Sequence, residues 1–373
     1  TLKFSEKISS KEFKENKKEN EIIISYLDGP RVEIKGDIKE SYFVEFMDEK
    51  NNIIYSDTIT QNMWTSSSKK YYKKWKIRVN SVIVDELSLK GKVVLISFES
   101  KSIGDTIAWA PYVVDFQKKH QCVVVLSTFH NSWFKGLEQY QDILFINPGD
   151  SVNCHALYRI GYFKGDNGKW DDFDRYPTQL NLLPLQQTAT DILGLNYEEV
   201  NYGINFTPKK RPMLEKYVVI APESTAGCKE WVYENWVKVS EYLKEKGYEV
   251  VILTLKPYYI QGTTNVSNKG WNEVFNYLYH SEFLIGLSSG LAWCNWALNK
   301  KTVMISGFSE AFNEFTNNNI RISNNVCIKC WNDSEMAFEA GDWDWCPVYK
   351  GTKKQHICQK SITVEQVINK LPL

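Results

Sequence analysis

The sequence predicts an α/β fold in which two Rossmann-like domains face a cleft, with a small antiparallel β domain before them and a four-cysteine metal motif near the C-terminal end. Three observations lead to this prediction. Short β-type runs separated by turns fill residues 21–84. Apolar runs then alternate with helix-like segments in two successive series, which is typical of parallel sheets covered by helices. Four cysteines lie between residues 327 and 358.

The N-terminal part of the chain has the pattern of hairpins. Residues 1–20 are dominated by Lys, Glu and Ser, and we expect them to be frayed or weakly helical. β-type runs follow at 22–24, 31–34, 42–46, 53–55 and 75–79, with turns at 28–30, 35–37 and 50–52. Turn residues between short apolar runs indicate antiparallel pairing. We therefore expect a β domain over residues 1–88, open on one side or closed as a barrel.

Two α/β series follow this β domain. The first, over residues 89–206, has apolar runs at 92–98, 122–127 and 143–146 and a helix-like segment at 107–119. The second, over residues 207–373, has strand-like runs at 217–221, 250–254, 283–286 and 302–305 and helix-like segments at 231–246, 271–280 and 291–298. Continuous apolar runs are expected of strands buried on both faces. A polar link at 207–212 separates the two predicted domains.

The composition excludes several classes of partner. Lys plus Arg and Asp plus Glu each number 45 among 373 residues, so the formal net charge is zero. Such a balance gives no electrostatic reason to expect nucleic acid or an anionic membrane surface as a partner. No apolar stretch approaches the roughly 18–20 residues of a membrane span, and no signal-peptide core is present. We expect a cytoplasmic enzyme whose eight cysteines are thiols or metal ligands.

The four C-terminal cysteines are spaced Cys327-x2-Cys330-x15-Cys346-x11-Cys358. A Cys-x2-Cys pair directs two thiolates at one ion, and two further thiolates can complete a tetrahedral S4 shell. Such a closed shell has no open position, so we expect a structural ion. The spacing allows zinc or a mononuclear iron. Four unrelated buried thiols, or a pair of disulfides, are the alternative interpretations.

Three further segments lie where a predicted strand ends and a helix begins, which is where open α/β sheets bind ligands. In the first, Ser102 to Pro111, Gly104 would let the backbone approach a ligand. Asp105 would then stand at the mouth of the cleft, where a carboxylate can take a proton from an attacking hydroxyl. Asp105 could equally cap the helix.

The second segment runs from Ala221 to Trp231 and joins a strand to a helix through small residues. Helix N-terminal amides and the ammonium of Lys229 suit a diphosphate and would stabilise a departing nucleoside diphosphate. The loop also carries candidate donor-binding side chains, which are those of Glu223, Ser224, Thr225 and, as an aromatic face for a sugar, Trp231.

The third segment is a Gly/Ser turn after a predicted strand, Ser288-Ser289-Gly290-Leu291. Its amides would open a helix, and a phosphate or a ribose would fit there. An ordinary capped turn has the same composition.

Taken together, these motifs resemble those of one family. Gly104-Asp105 with Pro111, Pro222 with Lys229 and Trp231, and the turn at 288–291 follow the motif order of the lipopolysaccharide heptosyltransferases, which have the GT-B architecture. The N-terminal β segment and the four cysteines resemble the bacterial autotransporter heptosyltransferases instead. Further stretches that look like that family are 28–34, 62–64, 183–187 and 191–195.

The resemblance implies an inverting transfer of heptose from ADP-heptose to serine hydroxyls of an autotransporter adhesin, in the cytoplasm. It implies one iron ion on the four cysteines and assembly into a homo-oligomer, a dodecamer in the relatives. Asp105 resembles the general base of the family and Lys229 its diphosphate-binding lysine. Thr225, Ser289 and Gly290 fall in its donor-binding turns.

One departure from the lipopolysaccharide enzymes concerns the donor. Those enzymes have Asp-Thr-Gly-Leu followed by a His, whereas this chain has Ser288 and Trp293 at the corresponding positions. Two alternative functions therefore stay open: a protein O-glycosyltransferase with another nucleotide sugar, such as a UDP-hexose, and a non-catalytic binding or assembly protein stabilised by its metal.

Overall fold

The computed structural model of the chain describes residues 19–339 and 341–373. The prediction for residues 1–20 falls almost wholly outside this part of the chain. The strands are β1 (Glu21–Leu27), β2 (Arg31–Lys35), β3 (Ser41–Met47), β4 (Ile53–Thr60), β5 (Trp64–Ser66), β6 (Lys76–Val79), β7 (Val82–Glu86), β8 (Val93–Phe98), β9 (Val123–Ser127), β10 (Ile143–Ile146), β11 (Ala156–Ile160), β12 (Tyr217–Ala221), β13 (Glu249–Thr254), β14 (Thr264–Ser267), β15 (Leu284–Leu287), β16 (Thr302–Ile305) and β17 (Asn319–Ile322). The helices are α1 (Ile103–His120), α2 (Gln187–Leu193), α3 (Tyr233–Glu245), α4 (Trp271–His280), α5 (Gly290–Ala297), α6 (Ile357–Lys360) and α7 (Val364–Ile368).

Six parallel strands form the sheet of the second half of the chain, in the order β14-β13-β12-β15-β16-β17. In chain order this is 3-2-1-4-5-6, the doubly wound arrangement in which ligands bind where the strand order reverses. The reversal lies between β12 and β15. The loops that leave these two strands are the predicted segments that contain Lys229 and Ser288.

Seven strands form the sheet of the first half, in the order β10-β9-β8-β11-β1-β2-β5. Four of its strands have the order β10-β9-β8-β11, so the strand order again reverses, here between β8 and β11. The loop after β8 leads to Asp105 in α1, and the loop after β11 begins with Gly161 and Tyr162. The α/β fold predicted from the two series is confirmed, and the strands of both series pair in parallel, although β2 and β5 join the first sheet antiparallel.

The N-terminal strands differ from the predicted arrangement. Only β4-β3-β6-β7 form a separate antiparallel sheet, and this sheet is open, with β4 and β7 at its edges. β1 instead pairs in parallel with β11, and β2 and β5 extend the same sheet. Val32 and Ile34 of β2 are fully buried in this position. An apolar run shows that a strand will be buried, but it does not show which sheet will accept it.

One apolar cluster spans the two halves, and the second half has a further cluster of its own. A continuous cluster of buried side chains includes Trp109 of α1 together with Trp293 and Trp296 of α5. Since α1 belongs to the first half and α5 to the second, this cluster holds the carboxyl ends of the two parallel sheets toward each other. Among the helices of the described residues, none combines the length and the apolar character needed to cross a membrane.

Candidate active site

A cavity of about 360 Å³ lies between the carboxyl ends of the two parallel sheets. Both halves contribute polar side chains to its wall, and its remaining wall is largely aromatic. Its lining includes Ser100, Ser102, Gly104, Asp105 and Tyr162 from the first half and Lys229, Ser288, Ser289, Gly290, Ser309, Asn313 and Glu314 from the second. The three predicted strand-end segments therefore meet in one place.

Asp105 lies in the first turn of α1 and is 6% exposed. The helix begins four residues earlier than expected, and its cap is Ser102, whose hydroxyl accepts the Asp105 N–H at 3.5 Å. The Asp105 carboxylate is therefore not the helix cap. It accepts hydrogen bonds from the Ser100 hydroxyl at 2.5 Å and from the Tyr162 hydroxyl at 3.0 Å.

Burial sets the acid–base character of Asp105. Removal from water raises the pKa of its carboxyl above the usual value, while the bonds from Ser100 and Tyr162 and the charge of Lys229 act in the opposite direction. Burial also raises the pKa of Tyr162 well above its usual value, so this phenol remains a donor. Asp105 is thus an oriented, buried carboxylate on the cavity wall, which is the environment of a general base.

Lys229 joins the loops that leave β12 and β15. Its ammonium donates to the Ser288 carbonyl oxygen at 3.3 Å and lies 5.4 Å from the centre of the Phe308 ring. Lys229 belongs to a short 3-10 turn, Gly227–Lys229, whereas α3 begins only at Tyr233. The sequence had predicted the N-terminal amides of a long helix beside the Lys229 ammonium. The structure places the amides of this short turn there instead.

The turn at 288–290 begins α5. Ser289 is the N-cap residue, and its buried hydroxyl has no hydrogen-bond partner among the described residues. A Cβ atom added at Gly290 would lie 3.0 Å from the Cβ of Ile103, and one added at Gly104 would lie 2.9 Å from the Cδ1 of Trp293. Glycine at these two positions allows the N-termini of α1 and α5 to approach each other across the cleft.

Two functional candidates have no counterpart in the sequence analysis. Glu314, in the loop between β16 and β17, is 4% exposed and accepts hydrogen bonds from Ser288 and Ser309. Tyr162 holds the Asp105 carboxylate. Recognising β11 as a strand would have identified Tyr162, because it follows the end of that strand, but no local pattern marks Glu314.

Five of the predicted donor-binding residues do not line this cavity. They are Glu223, Ser224, Thr225, Trp231 and Leu291. Trp231 is 4% exposed, and its indole N–H donates to the Ile362 carbonyl oxygen at 2.8 Å, so the structure gives it a core position instead of a sugar contact. Glu223 accepts the Leu255 N–H at 2.8 Å.

Residues 331–338, here called the bridging segment, extend from the second half to the first. Asn181 donates to two carbonyl oxygens of this segment, at 2.9 and 3.1 Å. Lys169 and Glu335 form an ion pair at 2.8 Å. Two aromatic rings of the bridging segment line the cavity. The segment lies between Cys330 and Cys346, so the cysteine-bearing region forms part of the cavity wall.

The four cysteine side chains of the predicted metal motif lie near one another. Burial raises the pKa of Cys330 to about 12, and negative charge on Cys327, Cys358 and Cys346 contributes to the shift. Four such thiolates would repel one another, and a soft cation would relieve this repulsion, so the chemistry of the donors suits iron or zinc. Within residues 19–339 and 341–373, however, no group of three or more His, Cys, Asp or Glu side chains has the geometry to hold an ion.

The cysteine region packs directly on the cavity. A Cβ added at Gly307 would lie 2.0 Å from the Cys358 carbonyl oxygen, so only glycine allows this contact. The next residue, Phe308, clusters with Cys330 and lies under the Lys229 ammonium. Phe308 therefore lies between Cys330 of the cysteine region and the Lys229 ammonium.

Comparison with known proteins gives one consistent result. Residues 186–337 match the profile of Glycosyltransferase family 9 (heptosyltransferase). The chain is 33% identical over 355 residues to the autotransporter heptosyltransferase Aah of Escherichia coli, covering 88% of both proteins. It is 29% identical over 318 residues to BimC of Burkholderia thailandensis, named as an inactive autotransporter heptosyltransferase, covering 81% of this chain and 74% of that protein.

The fold agrees with this result. The structure matches TibC of enterotoxigenic E. coli, a dodecameric iron-containing heptosyltransferase crystallised with ADP-D-β-D-heptose. The TM-score is 0.84 at 31% identity, and the match covers 94% of this chain and 95% of TibC. Since Aah at 33% identity and TibC at 31% identity each match nearly the whole of this chain, the chain belongs to the autotransporter heptosyltransferase family.

Proposed function

We propose that this protein transfers heptose from ADP-heptose to serine hydroxyls of an autotransporter adhesin, in the cytoplasm before the adhesin is exported. The names of the relatives and the ADP-heptose complex of TibC support the donor and the type of acceptor. The observation that carries the mechanism is the cavity in which Asp105 of the first half meets Lys229 and the 288–290 turn of the second.

Asp105 is the general base in this proposal. Its carboxylate takes the proton of the serine hydroxyl while the serine oxygen forms a bond to the anomeric carbon of the heptose. Ser100 and Tyr162 hold the carboxylate in place from two sides. The attack comes from the face opposite the diphosphate, so the configuration at the anomeric carbon is inverted.

Lys229 assists the departure of ADP. The bond between the anomeric carbon and the β-phosphate oxygen breaks, and its electron pair leaves with ADP. Negative charge then builds on the diphosphate, where an ammonium and the amides that begin α5 stabilise it. The Ser289 hydroxyl, which has no hydrogen-bond partner in the described part of the chain, supplies a further donor.

We propose that the two halves of the chain bind different substrates. Residues 207–373 bind the donor, because Lys229, the 288–290 turn and the loop after β12 belong to them. Glu223, Ser224 and Thr225 lie on that loop outside the cavity, and we assign them to the nucleoside end of ADP. Residues 89–206 carry the base and receive the acceptor.

We also propose that Cys327, Cys330, Cys346 and Cys358 bind one structural iron ion per chain, since four thiolates leave no open coordination position. Elemental analysis of the purified protein tests this. We expect one equivalent of iron in the wild type and in Cys154→Ser, a half-buried cysteine outside the group. Cys330→Ser should lose the iron and melt at a lower temperature. Zinc in the wild type would show that the bound ion is zinc instead of iron. One equivalent of iron in Cys330→Ser would contradict the proposed site.

Assembly into a homo-oligomer, dodecameric as in TibC, is the remaining part of the proposal. The open antiparallel sheet exposes apolar side chains on β3, β4 and β7 that a partner copy could cover, namely Phe43, Ile53, Val82 and Ile83. Light scattering coupled to size exclusion measures the mass directly. A monomer at micromolar concentration would contradict this part alone.

The decisive experiment is intact-mass analysis of an adhesin passenger fragment co-expressed with this protein in a host that makes ADP-heptose. Mass steps of one heptose are expected with the wild type, and no steps with Asp105→Asn. Hexose steps would mean another nucleotide-sugar donor. If the wild type gives no steps, either this passenger is not its acceptor or the protein is a non-catalytic member of the family, as BimC is named inactive.

A further inference from the structure

The cavity contains a second buried carboxylate, Glu314, for which the mechanism above gives no role. Its Oε1 accepts a short hydrogen bond from the Ser288 hydroxyl, and longer ones from the Ser309 hydroxyl at 3.3 Å and the Asn313 amide at 3.4 Å. Its Oε2 accepts no hydrogen bond from any described residue. Because Glu314 lines the cavity, that oxygen has the cavity as its remaining source of a donor.

No cation in the described part of the chain forms an ion pair with Glu314. Of the basic groups nearby, Lys229 donates to the Ser288 carbonyl, and Arg321 donates through its Nη2 to the carbonyl oxygens of Ser306 and Ser309. Glu314 and Arg321 attract each other without a direct contact. The Oε2 atom is open to the cavity and is therefore an acceptor for a ligand that donates hydrogen bonds.

The position of Glu314 relative to the diphosphate site determines which part of the donor it can reach. Ser288 joins the two, since its carbonyl accepts from Lys229 and its hydroxyl donates to Glu314. A diphosphate held by Lys229 and the start of α5 therefore lies next to Glu314. The sugar of the donor is linked to that diphosphate through a single oxygen.

Electrostatics indicates whether Glu314 contacts the phosphates or the sugar of the donor. A carboxylate directed at the phosphates would be repelled by them, whereas the hydroxyls of a neutral sugar are hydrogen-bond donors. Asp105 approaches the same space from the first half, and the charge of Glu314 acts on Tyr162, which holds Asp105. The two carboxylates thus border the region that the transferred sugar must occupy.

We propose that Glu314 binds hydroxyl groups of the transferred sugar through its Oε2 and so selects the donor sugar, with Ser288 as its positioning residue. This inference rests on the proposed function, because it assumes a nucleotide-sugar donor in the cavity. The loop between β16 and β17 then recognises the sugar, whereas the 288–290 turn binds the diphosphate.

Calorimetric titration with ADP and with ADP-heptose separates a sugar contact from a structural role. Glu314→Gln keeps the shape of the side chain and an acceptor for Ser288 but removes the charge that strengthens a bond from a hydroxyl. We expect ADP-heptose to bind roughly 10- to 100-fold more weakly to this variant, with ADP affinity unchanged or slightly higher, because the variant also removes a negative charge beside the diphosphate. Glu310→Gln, on the same loop but exposed, is the matched control and should change neither affinity.

Each other outcome overturns the inference in a different way. Equal weakening of ADP and ADP-heptose would mean that Glu314 only supports the 288–290 turn, and unchanged affinity for both would mean that it does not contact the donor. If Glu314→Gln fails to fold, Glu314→Asp, which keeps the charge and shortens the reach, is compared with the same two ligands. A wild type that binds ADP but shows no binding of ADP-heptose would reject the proposed function together with this inference.

Discussion

Replacement of Asp105 by Asn tests the assigned base most directly, because the two side chains have nearly the same shape. The carboxylate lies in the first turn of α1, is 6% exposed and accepts hydrogen bonds from Ser100 and Tyr162. An amide oxygen can keep one of these bonds, and the second hydroxyl can turn to accept from the amide nitrogen. The variant should therefore fold and bind donor, but it has no atom that can take the serine proton.

The expected loss of transfer activity follows from the proposed role of Asp105 as general base. General base catalysis contributes roughly 10²- to 10⁴-fold, which corresponds to about 2.7–5.4 kcal/mol of activation free energy. Asp105→Asn should lower kcat for transfer by this factor and leave the affinity for ADP within about twofold. Asp115→Asn is the matched control, because Asp115 lies farther along α1 and accepts from the Tyr202 hydroxyl instead of facing the cavity.

Asp105→Asn should lower the activity but raise the stability of the folded protein. Burial raises the pKa of Asp105 in the folded protein, so the fold favours the protonated form and ionisation destabilises it. This destabilisation is absent below the unfolded pKa and develops as the pH rises through the folded pKa. Asp105→Asn should therefore raise the melting temperature at neutral pH, with a difference that disappears in acid. In the wild type, transfer should fall as the pH drops through the same raised pKa.

The assay combines transfer to a passenger peptide, followed by mass spectrometry, with thermal unfolding at neutral and acid pH. Transfer by Asp105→Asn within tenfold of the wild type would refute the assignment of the base. A melting temperature below that of the wild type at neutral pH would refute the argument from burial.

Three further predictions concern the geometry of the cleft. Lys229→Met should weaken ADP binding roughly 10- to 100-fold, since it removes a charged hydrogen bond to the diphosphate, and unchanged calorimetric affinity would contradict this role. Gly104→Ala places a methyl 2.9 Å from the packed Trp293 ring and should cost about 1–3 kcal/mol in urea unfolding, whereas Gly270→Ala, with open space around it, should cost less. Asn181→Ala leaves two carbonyl oxygens of the bridging segment without their donor, so a loss of about 1–3 kcal/mol is expected, and an unchanged unfolding midpoint would show that the segment is held by other contacts.

Several elements could be located from the sequence because one interaction dominates them. The strand at 217–221, the strand at 302–305 and the helix at 271–280 were predicted with the bounds that the structure has. In each strand, a continuous apolar run must be buried on both faces, and this condition is local. The helix is limited by Gly270 before it and Ser281 after it, which is also local information.

Other features required contacts between distant residues. β1 joins the first parallel sheet through β11, more than a hundred residues away, so an apolar run at 22–24 could not indicate its sheet. Trp231 follows the loop of Lys229 in sequence, yet it turns into the core toward Ile362. Glu314 has no sequence signal because its partner, Ser288, lies on another strand end.

By itself, the sequence determined the chemistry available to this protein. It placed an acid, a lysine and two glycine turns at the ends of predicted strands, and it supplied four thiols at metal-binding spacing. Only the tertiary structure decided which of these groups meet, because the carboxyl ends of two sheets come together through the packing of α1 on α5. The tertiary structure also buries Asp105, adds Tyr162 and Glu314 to the cavity, and places the bridging segment in its wall.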